Sequence, residues 1–277
     1  MIEYVMAKKN WNHIHFMGDI ALNWKNPKIY RFVPYERLKE MHTDSALTFV
    51  SPKLWNDPYE KMYFNIDVKG EKIKVPNIVC LCFRSELNDN SAAYWDKEDC
   101  QCPYVRLGVD LCRLCDILDR FSDKTEADVY IKSVCYCNRE EIENAYKNPF
   151  IMRDSLKESY IRLMSLKRVA YKYENELRIF IAWKNGNKKI EEFLEQDLLK
   201  IKIDEDKSFL KEIMYDPSFL SRGKIIADLG LRKDDKHKKT FIHENSWNVV
   251  VKKRISKCPK IKFIEFPCVE YDHMEDA

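Results

Sequence analysis

The stretch Lys167–Phe180 reads KRVAYKYENELRIF and sets Glu174, Glu176 and Arg178 into a run of aromatic and β-branched residues. A charge in an otherwise apolar strand is costly to bury alone, so it must find a partner or a ligand. Side chains at i and i+2 of a strand share a face, which groups the two carboxylates with the arginine. Two readings follow. The face is solvated and carries a local ion pair, or the carboxylates converge on a ligand cleft and Arg178 orients one of them. Catalysis or metal binding uses such a pair. A second stretch of this kind lies far upstream, Ile29–Phe32, IYRF. Alternation puts Tyr30 and Phe32 on one face and Arg31 on the other. Arg31 is either a surface arginine on an edge strand or a ligand contact.

Between these two stretches the chain alternates strand and helix signals. A helix is expected over 35–42 and a strand over 47–51. Asn56-Asp57-Pro58 has helix-start chemistry, because an Asx side chain accepts backbone N–H bonds and proline fits a first helical turn. Asp57 and Glu60 could instead add to an acidic site. Alternation predicts a strand over 62–68, and the apolar run 78–83 reads as a central strand. Residues 91–95 read as helical, 105–109 as a strand, 111–121 as an amphipathic helix and 129–136 as a strand. A mostly helical stretch covers 140–166. The strand 176–183 ends at Lys184-Asn185-Gly186-Asn187, a turn signal. Short strands near 199–203 and 212–215, a helix over 217–229, and strands near 247–251 and 261–266 complete the pattern. The basic cluster from Arg232 to Lys239 is a solvated loop or a phosphate contact.

Composition narrows the function classes. The 277 residues suffice for one large domain or two small ones, and 45% hydrophobic with 13% aromatic residues supplies a packed core. With 48 basic and 45 acidic residues the net charge of +3 does not call for a nucleic-acid partner. Six glycines and the absence of both phosphate-loop spacings set aside P-loop and Rossmann nucleotide sites. No apolar run is long enough to span a membrane, and residues 1–10 lack a signal core, so a cytoplasmic protein with no membrane partner is expected. Eight of the ten cysteines fall in close pairs. Cys100, Cys102, Cys112 and Cys115 are one possible four-thiolate zinc set. Cys80/Cys82 and Cys135/Cys137 share strand faces and Cys112/Cys115 share an apolar helix face, which explains them as reduced packing residues. No bound metal is expected.

The order of these segments resembles the bacterial family known as domain of unknown function 2971, over about residues 29 to 220. The agreement is good at Asn56-Asp57-Pro58 and at Glu174-Asn175-Glu176-Leu177-Arg178. Tyr94-Trp95 stands where that family has Met-Trp, and Cys100-Gln101-Cys102 replaces its His-x-Gly. More distantly, a Tyr-Arg first strand, a central aromatic-serine region and a late Glu-x-Glu strand resemble the ADP-ribosyltransferases of the arginine-serine-glutamate type. That resemblance implies that Arg31 contacts the diphosphate of NAD. It implies that Glu176 holds a ribose hydroxyl and stabilises an oxocarbenium-like transition state, with Glu174 as the upstream acid. Tyr30, Ser91, Tyr94, Trp95 and Arg178 would complete the NAD site, Ser91-Ala92-Ala93 being the nearest approach to the family's Ser-Thr-Ser.

The expectation is therefore a single α+β domain over 28–268, with two small, mostly antiparallel sheets flanked by helices and NAD held between them. A helical extension over 1–27 precedes it and a frayed acidic tail over 269–277 follows. The leading functional expectation is an NAD-using ADP-ribosyltransferase-like effector, a toxin or phage-defence protein, acting on a protein or nucleic-acid acceptor. The alternatives are a non-catalytic module that binds nucleic acid or protein, and a metal-dependent nuclease built on Asp57, Glu60, Glu174 and Glu176. Arg178 stands where such a nuclease would want lysine, and is a poorer proton shuttle.

Overall fold

The computed structural model describes residues 9–20, 22, 25–65, 67–68, 71–72, 75–85, 103–147, 155–203, 209–215, 220–233, 240–242 and 248–253. In chain order the elements begin with β1 (Ile14–Met17), β2 (Lys28–Pro34), α1 (Tyr35–Asp44) and β3 (Ala46–Val50). Two 3-10 segments, Pro52–Leu54 and Pro58–Asn65, lead to the short β4 (Asp67–Val68) and β5 (Glu71–Lys72). Then come β6 (Asn77–Arg84), β7 (Tyr104–Asp110), α2 (Leu111–Thr125), β8 (Asp128–Ser133), β9 (Cys135–Cys137), α3 (Arg139–Lys147), α4 (Leu156–Leu163) and β10 (Leu166–Arg168). A third 3-10 segment, Val169–Glu174, feeds β11 (Glu176–Trp183). The rest is α5 (Lys188–Glu191), β12 (Leu194–Glu195), β13 (Leu198–Lys202), β14 (Leu210–Tyr215), α6 (Arg222–Asp228), β15 (Arg232–Lys233), β16 (Thr240–Ile242) and β17 (Asn248–Lys253).

The architecture is mixed α and β around one large sheet, in the order β1-β8-β11-β6-β2-β7-β14-β17-β16-β15. Among the described residues its pairings are antiparallel except β1 with β8 and β14 with β17. Two small separate sheets were expected, and the structure corrects this. The sheet forks at β6. One edge of β6 is paired along its whole length with β11. Its other edge is shared: Arg84 faces Tyr30 of β2, and Cys80 faces Val50 of β3. Strands β13 and β12 extend the β3 branch. The two branches are thus joined by a strand whose hydrogen bonds serve both.

β11 is buried at all eight positions because β6 and β8 flank it. A strand covered on both faces needs apolar residues at nearly every position, and Leu177 and Ile179–Trp183 supply them. Ile29, Val33, Leu81, Phe83, Leu107, Val109, Ile179 and Ile213 project to one face of the sheet and form the main core with Leu38 of α1, Leu114 and Leu118 of α2 and Ile225 of α6. Fully burying each such side chain stabilises by about 1.5–3 kcal/mol. α2 presents Leu111, Leu114, Cys115 and Leu118 to that core, and Asp110 caps its start by accepting from the Arg113 N–H. The opposite face carries a smaller cluster, in which Tyr160, Ile161, Leu163 and Met164 of α4 and its end pack on Ile78, Cys80, Tyr130 and Phe180.

Three local expectations are corrected. The segment 1–27 is not wholly helical: β1 adds a parallel strand to β8, held by Trp11 Nε1 and Lys9 on Asp116 and by the His13 N–H on Asp119. Residues 62–65 continue a 3-10 segment instead of opening a strand, because Asp57 accepts from the Tyr59 N–H and starts the turn one residue before Pro58. Residues 166–168 are the strand β10 on β9, outside the helix expected to reach Leu166. The features expected within 86–102, 234–239, 261–266 and 269–277 lie outside the described residues. Among the described residues no helix is long and apolar enough to cross a membrane.

Gly108 of β7 sits where β7, β2 and β14 are most crowded. A Cβ there would lie 2.9 Å from the Glu212 Cβ and 3.6 Å from the Tyr30 ring. Gly108→Ala is expected to destabilise by about 1–3 kcal/mol, because a backbone-tied Cβ cannot swing away. Among the described residues nothing beyond its own helix lies within 4 Å of a Cβ added at Gly223 in α6, so Gly223→Ala is expected to stabilise by about 0.5–1 kcal/mol. Urea denaturation of both variants checks the pair.

Candidate functional site

The site is built on the face of the sheet that α4 covers in part. Register places five residues side by side across five strands: Glu176 of β11, Arg84 of β6, Tyr30 of β2, Gly108 of β7 and Glu212 of β14. One row along, Arg178 stands opposite Cys82 and Phe32 opposite Arg106. Residues directly opposite on neighbouring strands share a face, so the row is a polar band across an otherwise apolar sheet. Four of its charged members, Arg84, Arg106, Glu176 and Glu212, are more than nine-tenths buried. The band has two ion-paired ends. At the β14 end Arg106 donates to Glu212 at 2.6 Å and lies 5.1 Å from the Tyr30 ring centre. At the β11 end Glu176 is the hub.

Arg178 is only 1% exposed, and its guanidinium is used on nearly every side. Nε donates to Glu176 Oε1 at 2.9 Å and Nη2 to Oε2 at 3.1 Å, a two-point fork. Nη2 also donates to Glu60 and Nη1 to the Met164 carbonyl. The Trp55 ring caps the guanidinium plane, its centre 4.3 Å from Cζ. Lys167 reaches in from β10 and donates to Glu174 Oε2 at 2.5 Å and to Glu176 Oε2 at 3.0 Å. The Glu176 N–H donates to the Tyr136 hydroxyl at 2.8 Å. The third 3-10 segment creates this geometry. It ends at Asn175 with φ 46, a left-handed residue that turns the chain into β11 and brings Glu174 and Glu176 onto one lysine. Beside the hub, Arg168 donates to Asp57 at 3.1 Å and is stacked on Tyr59 and Tyr171.

These contacts set the charge state. Burial works against ionisation of Glu176, but the Arg178 charge and hydrogen bonds and the Lys167 charge outweigh it and hold the carboxyl at about 2. Burial likewise works against the Lys167 ammonium, and Glu176, Glu60 and Glu174 together raise its pKa despite that. The Cys82 thiol is pushed up, first by its contact with Cys80 and then by burial, so it faces the hub uncharged. A cavity of about 440 Å³ opens over the hub, lined by Trp55, Asn56, Asp57, Glu60, Cys82, Lys167, Tyr171, Glu176 and Arg178. Three acids against two bases line it. It is of the size that takes a small ligand.

The structure gathers Glu174, Glu176 and Arg178 as one group, and places Tyr30 on the same face two strands from Glu176. Arg31 is not part of that group. It faces Leu107 in register and packs over the Phe83 ring, on the opposite face of the sheet. Strand alternation carries this separation, since Tyr30 and Arg31 cannot share a face. Ser91, Tyr94 and Trp95 lie outside the described residues, as do Cys100 and Cys102. Cys115 is buried in the main core and Cys112 is half-buried. Each acid of the metal alternative already has a basic partner: Asp57 with Arg168, Glu60 with Arg178, Glu174 with Lys167, and Glu176 with both Arg178 and Lys167. Among the described residues no group of three or more potential metal ligands occurs.

Arg84, Lys167 and Trp55 were not singled out from sequence as site residues. Arg84 carried the same signal as Glu176, a charge at the end of an apolar strand. Lys167 and Trp55 gave none, because their role depends on β10 and the first 3-10 segment meeting β11. No family model and no curated protein matches the chain.

Breaking the hub from one side leaves its partners charged and buried. Arg178→Met strands Glu60 and leaves Glu176 with Lys167 alone, and is expected to cost about 3–5 kcal/mol in urea denaturation. The triple change Arg178→Met with Glu176→Leu and Glu60→Leu is expected to cost less than the single one. Acid should act through the same hub. The Glu176 pKa is depressed from 4.5 to about 2, so its contribution is complete above 4.5 and is lost as pH falls towards 2. That shift is worth roughly 3 kcal/mol. Denaturation series between pH 6 and pH 2.5 should show a steeper loss of stability in the parent than in Glu176→Gln.

Proposed function

We propose that the Glu176 cavity takes the nicotinamide–ribose end of NAD and that the chain is an ADP-ribosyltransferase-like enzyme. One observation carries this reading: a carboxylate kept ionised by its neighbours lies at the base of an open cavity with aromatic walls and a negative lining. Such a group stabilises positive charge as it develops. The reaction is dissociative. The bond from C1′ to the nicotinamide nitrogen breaks and its electron pair leaves with nicotinamide. The positive charge spreads over C1′ and the ring oxygen, facing Glu176. A nucleophile of the acceptor then bonds to C1′ and gives up its proton. Trp55 or Tyr171 offers a ring for the flat nicotinamide. Arg84, beside Glu176 in the band, is a cation on this face for the diphosphate, while Arg31 alternates to the other face of β2. The acceptor is a protein or a nucleic acid, and the biological setting is a toxin or phage-defence effector in the cytoplasm.

A non-catalytic binding module is the second reading. It is favoured by the two cations that already occupy both oxygens of Glu176, which spends much of its charge inside the protein.

Nicotinamide release and thermal melting, measured on the same samples, separate the two. The transferase reading expects NAD to raise the melting temperature and to be cleaved, and Glu176→Gln to lower turnover per folded molecule by about 100- to 1,000-fold. Unchanged turnover per folded Glu176→Gln molecule would contradict it. A melting shift with NAD and no nicotinamide release, in protein shown to be active in cells, would select the binding module.

A further inference from the structure

The fork in the sheet makes a second cavity, in the gap between β2 and β3. It encloses about 310 Å³ between β2, β3, β6 and α1. Its walls are chiefly apolar, from Leu47, Val50, Leu81, Phe83, Leu107 and Phe209. Arg31 enters it from β2. The Nη1 of Arg31 is buried and has no hydrogen-bond partner among the described residues. Among the described residues its ring contact is with Phe83, at 6.0 Å from the ring centre, the limit of a cation–π interaction. Cys82, Cys80 and Glu176 are within range of the Arg31 charge, but none of them accepts a hydrogen bond from its Nη1. An arginine stays protonated in proteins, so a charged donor faces a chiefly apolar space with no acceptor on its Nη1. Native structures satisfy buried donors nearly always, and a donor left open points to a missing acceptor.

We propose that this cavity binds a free monocarboxylate with an apolar body, such as a medium-chain fatty acid, and that Arg31 takes its carboxylate. The chemistry of the lining selects the class. The planar guanidinium matches a carboxylate in a two-point contact. The apolar walls accept a hydrocarbon chain and reject a sugar or a nucleotide, whose hydroxyls they leave unpaired. At the mouth Arg37 and Glu40 pair with each other at 2.5 Å on exposed α1 positions, so entry is not blocked by a fixed negative charge. No residue lines both this cavity and the one over the Glu176 hub.

Decanoate and decanol distinguish the anion from its chain, and calorimetry on the full chain reads both. Decanoate is expected to bind in one-to-one ratio, about ten- to a hundred-fold more tightly than decanol. Arg31→Met should remove that advantage while leaving decanol binding intact. It should also melt at or above the parent temperature, because it deletes a buried donor that has no hydrogen-bond partner among the described residues. Equal affinity for decanoate and decanol, no decanoate binding, or full decanoate affinity in Arg31→Met would overturn the proposal. So would a lower melting temperature for Arg31→Met, which would show that Arg31 already has a partner.

Discussion

The buried Arg178 guanidinium is the constraint around which this end of the molecule is arranged. A charge only 1% exposed is tolerable when its donors are nearly all used, and the chain brings four separate pieces to use them. Glu176 comes from the same strand, Glu60 from the second 3-10 segment, the Met164 carbonyl from the end of α4, and Trp55 from the turn between the 3-10 segments. Segments more than a hundred residues apart are fixed by one side chain. Such a hub adds little net stability over a well-packed apolar core, but it makes the wrong arrangement expensive. It also gives the cavity above it a floor of defined charge.

The fork at β6 explains why the molecule has two unlike cavities. Where one edge of a strand must serve two neighbours, neither β2 nor β3 runs along its whole length, and a gap opens between them. On one side of the sheet the gap is apolar and holds Arg31. On the other, the row from Glu176 to Glu212 stays polar because its charges pair in place: Arg106 with Glu212, and Arg178 and Lys167 with Glu176. Gly108 keeps the middle of that row open by having no side chain to set against Tyr30 and Glu212.

Much of this was legible in the chain. The continuous apolar run of β6, the strand β11 with its turn at Lys184–Asn187, and the amphipathic α2 all follow from period and composition alone. So does the grouping of Glu174, Glu176 and Arg178, which needs only the two-residue repeat of a strand. The fork was not legible, because strand pairing is long-range and no local pattern says that β6 shares an edge. The same ignorance misplaced Arg31. Its alternation against Tyr30 was read correctly, but which face met Glu176 depends on the register of β2, β6 and β11. The strand expected at 62–65 failed for a local reason: alternation looked like a strand, while the Asp57 cap committed the backbone to a 3-10 turn first.

The central claim is that Glu176 is held as a carboxylate by Arg178 and Lys167. The most direct measurement is the titration of its side-chain carbon by nuclear magnetic resonance, assigned by comparison with Glu176→Gln. The account predicts a midpoint near 2. A midpoint near the ordinary glutamate value of about 4.3 would contradict it, and would mean that the guanidinium and ammonium do not close on this carboxylate in solution.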